Sequence, residues 1–518
     1  MSDAFNLSDY YLFDRIEEGL ENKTAIRYGP RLWSYGDIAN QSHALGQCLL
    51  NSGIAPGQRV YIILPDCPPF AWSFFGALKA GSIVAMGNPI APTSTLIDVI
   101  DYITPHTIIT TETVYANLTD ERPDLAEINA LVVCDMDTES DPELPIQGPR
   151  CMVTQLLDGG PEQAFPETYA DSPAIWLFTS GSTGRPKAAM HCHGDFRFNT
   201  EVYAKQTIGY SAEDTCVSVP RLFFGYATGT NLMFPFAVGA TVGLFVEKPT
   251  AERIAWAVEY YQATMLTNVP TLMSRLLDLP ETQTQALEKL RFCLSAGEAL
   301  PPALLKRWQA RFDTPVYDGI GSAEMFHIYL TNRPDDIKPG SLGRAVEGYT
   351  LRVLPADAEG PGAAEVPRGE SGVLWVKGDS VATGYWLDRQ KSWQTFFGHW
   401  CRTGDLFEVD TDGYYWFRGR ADHLLKISGQ WVSPIEVEHC ITEHPSILEV
   451  AVIPIQVDGL IRTRACVALR PASEPISDET LKAWVAQRIA KYKTPYEIKF
   501  YPSLPKNDRG KIDKGQLS

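Results

Sequence analysis

Positive charge is in short supply relative to negative in this chain. Its 45 Lys and Arg face 63 Asp and Glu, a formal net charge of -18 over 518 residues. An acidic surface repels nucleic-acid phosphates and anionic lipid headgroups, which excludes nucleic acid and membrane as main partners. The chain also has no long apolar run. The longest, Leu232 to Val246, has 15 residues and contains Pro235. A spanning helix needs roughly 20 apolar residues, so this run reads as buried core. The start, MSDAFNLSDYYLFD, is acidic and mixed and lacks the pattern of a secretory signal. The ten cysteines include no CxxC pair, which fits reduced thiols in a cytoplasmic protein. His191-Cys192-His193 has no second ligand cluster at metal spacing, so a structural zinc is set aside. The acidic balance has one local exception. Residues 487–518 carry eight Lys/Arg against three Asp/Glu, either a solvated tail or a site for an anionic ligand.

At 518 residues the chain is too long for one hydrophobic core, so two or more domains are expected. Helix-like and strand-like runs alternate, which points to an α/β fold. Val60 to Leu64 reads as a strand, Phe70 to Lys79 as a helix closed by Ala80-Gly81, and Ile83 to Met86 as a strand. Further strands are predicted around 131–134, 215–219, 265–268 and 292–295. Residues 355–371, rich in Gly, Pro and acids, read as an exposed loop. Gly372 to Lys377 and Tyr414 to Arg418 alternate like antiparallel strands. A boundary falls near Arg420-Ala421-Asp422. Beyond it, a helix (Ile435 to Ile441), two strands (Val450 to Ile455, Ala465 to Leu469) and a helix with Leu481, Trp484, Val485 and Ile489 on one face suggest a small α+β domain.

The chemistry is concentrated in a few segments. WLFTSGSTGRPKAA, residues 176–189, sets Thr179, Ser180, Ser182 and Thr183 around Gly181 and Gly184, then Lys187. Glycines let the backbone approach a phosphate, and N–H groups, hydroxyls and a lysine can hold it. The spacing is not that of a Walker A loop, and a polar surface turn is the alternative reading. Ser295-Ala296-Gly297-Glu298 ends a strand and precedes Pro301, as a strand-to-helix turn does. Asp318-Gly319-Ile320-Gly321-Ser322-Ala323-Glu324 reads as a glycine-rich turn whose Glu324 could ligate Mg²⁺. WCRTGDL at 400–406 contains Asp405, which by itself is a turn residue after Gly404. Arg418-Gly419-Arg420, DHLLKISG at 422–429 and PKNDRGK at 505–511 complete the set.

These segments, in this order, resemble those of the adenylate-forming superfamily of acyl- and aryl-CoA ligases, peptide-synthetase adenylation domains and luciferases. The resemblance covers nearly the whole chain. It implies a large N-terminal domain (1–421) of layered α/β sheets plus a small β-barrel, and a mobile α+β lid (422–518). It implies that Ser180, Gly181, Ser182, Thr183, Gly184 and Lys187 hold phosphate. Ala296, Gly297 and Glu298 would border adenine, and Asp318, Gly319, Ile320 and Ala323 would line the nucleotide site. Asp405, supported by Arg420, would accept the ribose hydroxyls. Lys511, Glu324 and Thr179 are the expected catalytic residues, with Glu324 on Mg²⁺ and Asp422 as hinge. Lys426 and Gly429 belong to the loop presented when CoA reacts. Ala323 stands where relatives have threonine, which removes a hydroxyl expected near the α-phosphate.

RLFFGYATG (221–229) and GIGSAEMFHIYLTNRP (319–334) look most like benzoate-CoA ligases. By that resemblance Phe224, Gly225, Tyr226, Gly321 and His327 line an acyl pocket, the two glycines leaving room for a flat ring. The resemblance therefore implies an AMP-forming aryl-acid:CoA ligase using ATP, Mg²⁺ and coenzyme A on a benzoate-type acid such as benzoate, anthranilate or hydroxybenzoate. The alternative is a stand-alone adenylating enzyme that passes its aryl group to a carrier-protein thiol or another nucleophile. A catalytically lost nucleotide-binding regulator is a third class, against which Lys511, Glu324 and Asp405 argue. A homodimer is compatible with this reading.

Overall fold

The computed structural model describes residues 4–133, 161–180, 186–421, 425–427, 430–457, 460–470, 473, 476–506 and 512–517. Two large sheets dominate it. The first has seven strands, in the order Gly384–Tyr385, Pro186–Cys192, Pro173–Ser180, Ile83–Met86, Arg59–Ile63, Thr107–Thr111 and Asn129–Val133. From Pro173–Ser180 to Asn129–Val133 every pair is parallel. Ile83–Met86 is buried at every position, as a parallel strand covered on both faces must be. Helix Pro68–Lys79 follows Arg59–Ile63. Proline at its start removes an N–H that would have no helical partner, and the helix stops at Ala80-Gly81, with Gly81 at φ +71°.

The second sheet has nine strands. Their order is Arg344–Ala345, Ile328–Thr331, Val316–Gly321, Phe292–Ser295, Met265–Asn268, Thr215–Ser218, Thr241–Leu244, Thr24–Tyr28 and Arg31–Ser34. Pairing is parallel from Val316–Gly321 through to Thr24–Tyr28. The apolar run from Leu232 is core, as expected. Leu232, Met233, Phe234 and Phe236 are buried, and Thr241–Leu244 is an inner strand. Among the described residues no helix is long and apolar enough to cross a membrane.

Where a small β-barrel was expected, Thr350–Leu354, Ser371–Lys377, Trp400–Val409, Phe396–Phe397 and Tyr415–Arg420 form a five-stranded antiparallel sheet. No pairing among the described residues closes it. The 355–371 segment is a loop up to Ser371, which begins a strand.

Past residue 430 the chain builds its own core. Strands Ile447–Val457, Leu460–Leu469 and Glu497–Tyr501 form a sheet, and helices Pro434–Thr442 and Asp478–Ala486 bury Val437, Ile441, Leu481 and Val485 with Val452 and Val467. The second helix is shorter than its apolar spacing predicts. It ends at Ala486, so Ile489 packs on this core from beyond the helix.

Candidate active site

Among the described residues, Thr179 and Ser180, Ala296 and Asp318 to Gly321 stand at or just past strand ends of the two large sheets, the usual place for ligands in open parallel sheets, whereas Asp405 and Arg420 lie in the five-stranded sheet. Thr179 and Lys187 face each other across the hairpin of Pro173–Ser180 and Pro186–Cys192. Gly181, Ser182, Thr183 and Gly184 lie outside the described residues, as do Asp422, Gly429 and Lys511. Ser180 and Lys426 are described as strand backbone, Lys426 pairing with Trp431.

Asp318 to Gly321 is not the turn its glycines suggest. It is the end of strand Val316–Gly321, which pairs antiparallel with Ile328–Thr331. A β-carbon on Gly321 would lie 2.4 Å from the His327 carbonyl oxygen. Glycine at 321 is thus required by close strand approach, whatever room it leaves for a ring. Gly225 differs: its β-carbon would meet Leu177 Cδ1 at 3.4 Å, an ordinary contact. Gly225→Ala is accordingly expected to melt like the unchanged protein. Gly321→Ala should lose about 1–3 kcal/mol or more, the scale of overpacking. Thermal unfolding of the two variants checks this, and similar melting of both would contradict it.

Asp318 itself is buried on this strand, with Ser295 as its cross-strand partner. Burial pushes its carboxyl up to about 8, and the Ser295 hydroxyl offsets only part of that. The folded protein therefore keeps a proton that the unfolded chain releases above its ordinary 3.8. The stability Asp318 contributes is complete below the unfolded value and is lost as pH rises through about 8. Asp318→Asn removes this titration. Its melting temperature should fall less than that of the unchanged protein between pH 6 and pH 9; equal slopes would contradict the assignment.

Glu324 sits in the short turn Ala323–Met325 just past that strand, and Phe326 next to it has φ +66°. Tyr385 donates a 2.6 Å hydrogen bond to Glu324 Oε1. The Lys187 ammonium lies 5.8 Å from the Tyr385 ring centroid. Phosphate loop and metal-ligand candidate thus meet through one aromatic ring. His191, considered above as a metal ligand, holds this turn instead. Its Nδ1 meets Asp195 at 2.9 Å and its Nε2 meets the Ala323 carbonyl at 2.6 Å. The His193 Nδ1 accepts from the Leu7 N–H. No metal-holding group of three or more His, Cys, Asp or Glu occurs among the described residues.

On the nucleotide side, Ala296 is buried at the end of Phe292–Ser295 and Gly297 has φ +86°. The Glu298 carboxylate accepts from the Thr271 N–H (2.9 Å) and hydroxyl (2.8 Å), anchoring the segment to helix Pro270–Leu276. Asp405 lies within strand Trp400–Val409 rather than in a turn, 8% exposed and opposite Arg420. Arg420 Nη1 is 3.2 Å from Asp405 Oδ1 and donates to the Thr403 carbonyl at 2.9 Å. Gly404 has φ +75°, and a β-carbon there would come within 3.1 Å of Arg420 Nη2.

Phe224 precedes the short helix Gly225–Thr228, in which Gly225 and Tyr226 are half-buried and Ala227 and Thr228 are buried. Asp66 accepts from the Leu222 N–H at 2.9 Å and lies 3.5 Å from Arg221, whose guanidinium donates to the Phe245 carbonyl. His327 Nε2 is 3.0 Å from the Tyr226 carbonyl, which can only accept, so this nitrogen carries the proton. Burial lowers His327 to about 4, so its ring is neutral near pH 7. The imidazole is bonded to the main chain. Its ring centroid lies 5.3 Å from that of Tyr226 and 4.7 Å from that of Phe234. Gly229, which sequence reasoning left without a role, lets this ring in: a β-carbon would lie 2.5 Å from His327 Cδ2. Asp66, Arg221 and Tyr385 were given no role as well, because each acts through partners distant in sequence, although Arg221 opens the RLFFGYATG segment.

Residues 13–386 match the AMP-binding enzyme family and residues 436–511 match the AMP-binding enzyme C-terminal domain. The chain belongs to the AMP-binding enzyme family. It is 35% identical to a benzoate–CoA ligase of Thauera aromatica, over 99% of this chain and 96% of that one. Its fold superposes on the crystal structure of a benzoate CoA ligase from Burkholderia xenovorans LB400 with TM-score 0.88 and 33% identity, covering 99% of each chain. It also resembles an anthranilate CoA ligase solved with anthranoyl-AMP (TM-score 0.89, 30% identity), covering 99% of this chain and 96% of the other.

Proposed function

We propose that the protein is an AMP-forming aryl-acid:CoA ligase acting on a benzoate-type acid, with ATP, Mg²⁺ and CoA as the other reactants. The carrying observation is the segment from Ile320 to His327. One strand end and one short turn bring together pocket candidates Gly321 and His327 with Glu324, which Tyr385 links toward Lys187. An acyl carboxylate held against this segment would lie next to the phosphates it must attack.

In this reading the aryl carboxylate attacks the α-phosphate of ATP, pyrophosphate leaves, and the CoA thiol then displaces AMP from the aryl-adenylate. The 180–187 loop and Lys187 hold phosphate, and Asp405 with Arg420 holds ribose. Tyr226 and His327 wall the ring. The donor chemistry at Glu324 suits a hard cation: it offers carboxylate oxygens, which Mg²⁺ prefers. Magnesium bound there would neutralise phosphate charge. Lys511 would offset the charge that grows as the carboxylate attacks. The small domain (422–518) would turn about Asp422 to bring Lys426 and Gly429 in for thioester formation. A cytoplasmic homodimer completes the proposal; the eight described cysteines are all free, in keeping with reduced thiols.

Pyrophosphate release over a panel of acids tests the substrate class. Benzoate, 2-aminobenzoate or a hydroxybenzoate should support turnover, and acetate or palmitate should support little. An apolar pocket discriminates by roughly 1–3 kcal/mol per methylene but excludes a long chain by volume. A higher kcat/KM for palmitate than for every aryl acid would overturn the proposal.

A further inference from the structure

We propose that Tyr385 is a positioning residue that fixes the Glu324 carboxylate for the divalent cation accompanying ATP, an inference that rests on the functional reading above. The turn carrying Glu324 is held at three successive carbonyls. The Ala323 carbonyl meets His191 at 2.6 Å. The Glu324 carbonyl accepts from the Ala382 N–H at 2.8 Å. The Met325 carbonyl accepts from the Ser380 hydroxyl at 2.9 Å, and Ser380 in turn contacts the Tyr349 hydroxyl at 2.6 Å. The backbone is thereby fixed from two directions, and the side chain keeps its own torsions. Tyr385 removes that remaining freedom by donating to Oε1 at 2.6 Å. This leaves Oε2 for a cation.

Tyr385 is itself held rigidly. Strand Gly384–Tyr385 pairs with Pro186–Cys192, setting Tyr385 opposite Ala189. Its N–H donates to the Ser392 hydroxyl at 2.8 Å, and its ring packs on Phe396 with centroids 5.1 Å apart. Only 6% of the residue is exposed. The clamp Ala382–Tyr385 therefore secures Glu324 by main chain and side chain together, while the same ring carries Lys187. A hydrogen-bond donor behind a metal-binding carboxylate orients it, and losing such a partner costs typically about 10–100-fold in metal affinity.

The test is ATP binding by calorimetry, in EDTA and in excess Mg²⁺, without acid or CoA. It compares the unchanged protein with Tyr385→Phe, Glu324→Gln and the double variant. The phenylalanine keeps the ring and its packing. Mg²⁺ should tighten ATP binding to the unchanged protein, and Tyr385→Phe should cut that tightening by about 10-fold or more, with metal-free ATP affinity within about 2-fold. In the Glu324→Gln background the same substitution should have no further effect. The electron paramagnetic resonance spectrum of Mn²⁺ on the enzyme–ATP complex should differ between Tyr385→Phe and the unchanged protein. Unchanged Mg²⁺ enhancement in Tyr385→Phe, alongside a lost enhancement in Glu324→Gln, would overturn the positioning role alone. Unchanged enhancement in Glu324→Gln would instead overturn Glu324 as metal ligand, and with it the reading beneath. Equal loss of metal-free and metal-bound affinity in Tyr385→Phe would make the residue a general support of the nucleotide site and overturn the proposal.

Discussion

Replacing Lys511 by alanine is expected to slow aryl-adenylate formation at least about 100-fold, the scale for removing one preorganised electrostatic stabiliser. Conversion of supplied aryl-AMP and CoA to aryl-CoA should stay within a few-fold of the unchanged protein. The asymmetry follows from when the ammonium is useful. Charge grows on the α-phosphate while the carboxylate attacks; once the mixed anhydride aryl-AMP exists, the thiol attacks the acyl carbon and the phosphate only departs as AMP. Lys511 itself lies outside the described residues, but the frame of its loop does not. Lys506 and Ile512 bridge across the base of the 507–511 segment. The Lys506 ammonium is 2.9 Å from Glu449, which also lies 3.5 Å from Arg275 on helix Pro270–Leu276. That helix also anchors Glu298 beside the proposed adenine edge. A bulky residue at Gly429 should do the reverse, blocking CoA while sparing adenylation. Single-turnover kinetics with ATP plus acid, and separately with aryl-AMP plus CoA, distinguishes the two. Equal impairment of both steps in both folded variants would contradict a division of labour between domain orientations.

The second large effect is expected at Asp405. Asp405→Ala should weaken ATP and AMP binding by about 10- to 100-fold for each ribose hydrogen bond lost, because a charge-assisted hydrogen bond contributes about 1.5–3 kcal/mol. Pyrophosphate, which has no ribose, should bind as before. The structural motive is specific. Asp405 is nearly buried in the middle of Trp400–Val409, opposite Arg420, whose guanidinium lies over Gly404. Such a carboxylate is held at one angle rather than swinging in solvent. Calorimetry on a variant that retains its circular dichroism spectrum decides it. Unchanged nucleotide affinity would show that the ribose contact lies elsewhere.

Sequence was most informative where one physical cause dominates. Ile83–Met86, Met265–Asn268 and Phe292–Ser295 are short apolar runs between turn residues, and the structure shows strands with those bounds. The close of Pro68–Lys79 at Ala80-Gly81 was readable because a left-handed glycine is a local device. Asp318 to Gly321 was misread as a turn because its strand character comes from a partner, Ile328–Thr331, and its glycines serve that pairing. The same holds at Asp405, where Gly404 looked like a turn signal but makes room for Arg420. Of the candidate site, the proposed phosphate-holding segment, Glu324 and Asp405 stand out in the sequence as motif members. The supports were not: Tyr385 is 61 residues from Glu324, and Asp66 is 156 from Leu222. No local pattern carries such pairs.

The central claim is that this acidic chain joins an aryl acid to CoA at the expense of ATP. Its most direct test is product analysis by mass spectrometry. Purified protein is incubated with ATP, Mg²⁺, CoA and, in turn, benzoate, 2-aminobenzoate, each hydroxybenzoate, acetate and palmitate. The account predicts an aryl-CoA thioester with at least one aryl acid, one AMP formed per thioester, and no ADP. It would be contradicted by aryl-AMP that accumulates untouched by CoA, or by the absence of adenylate and thioester with every aryl acid.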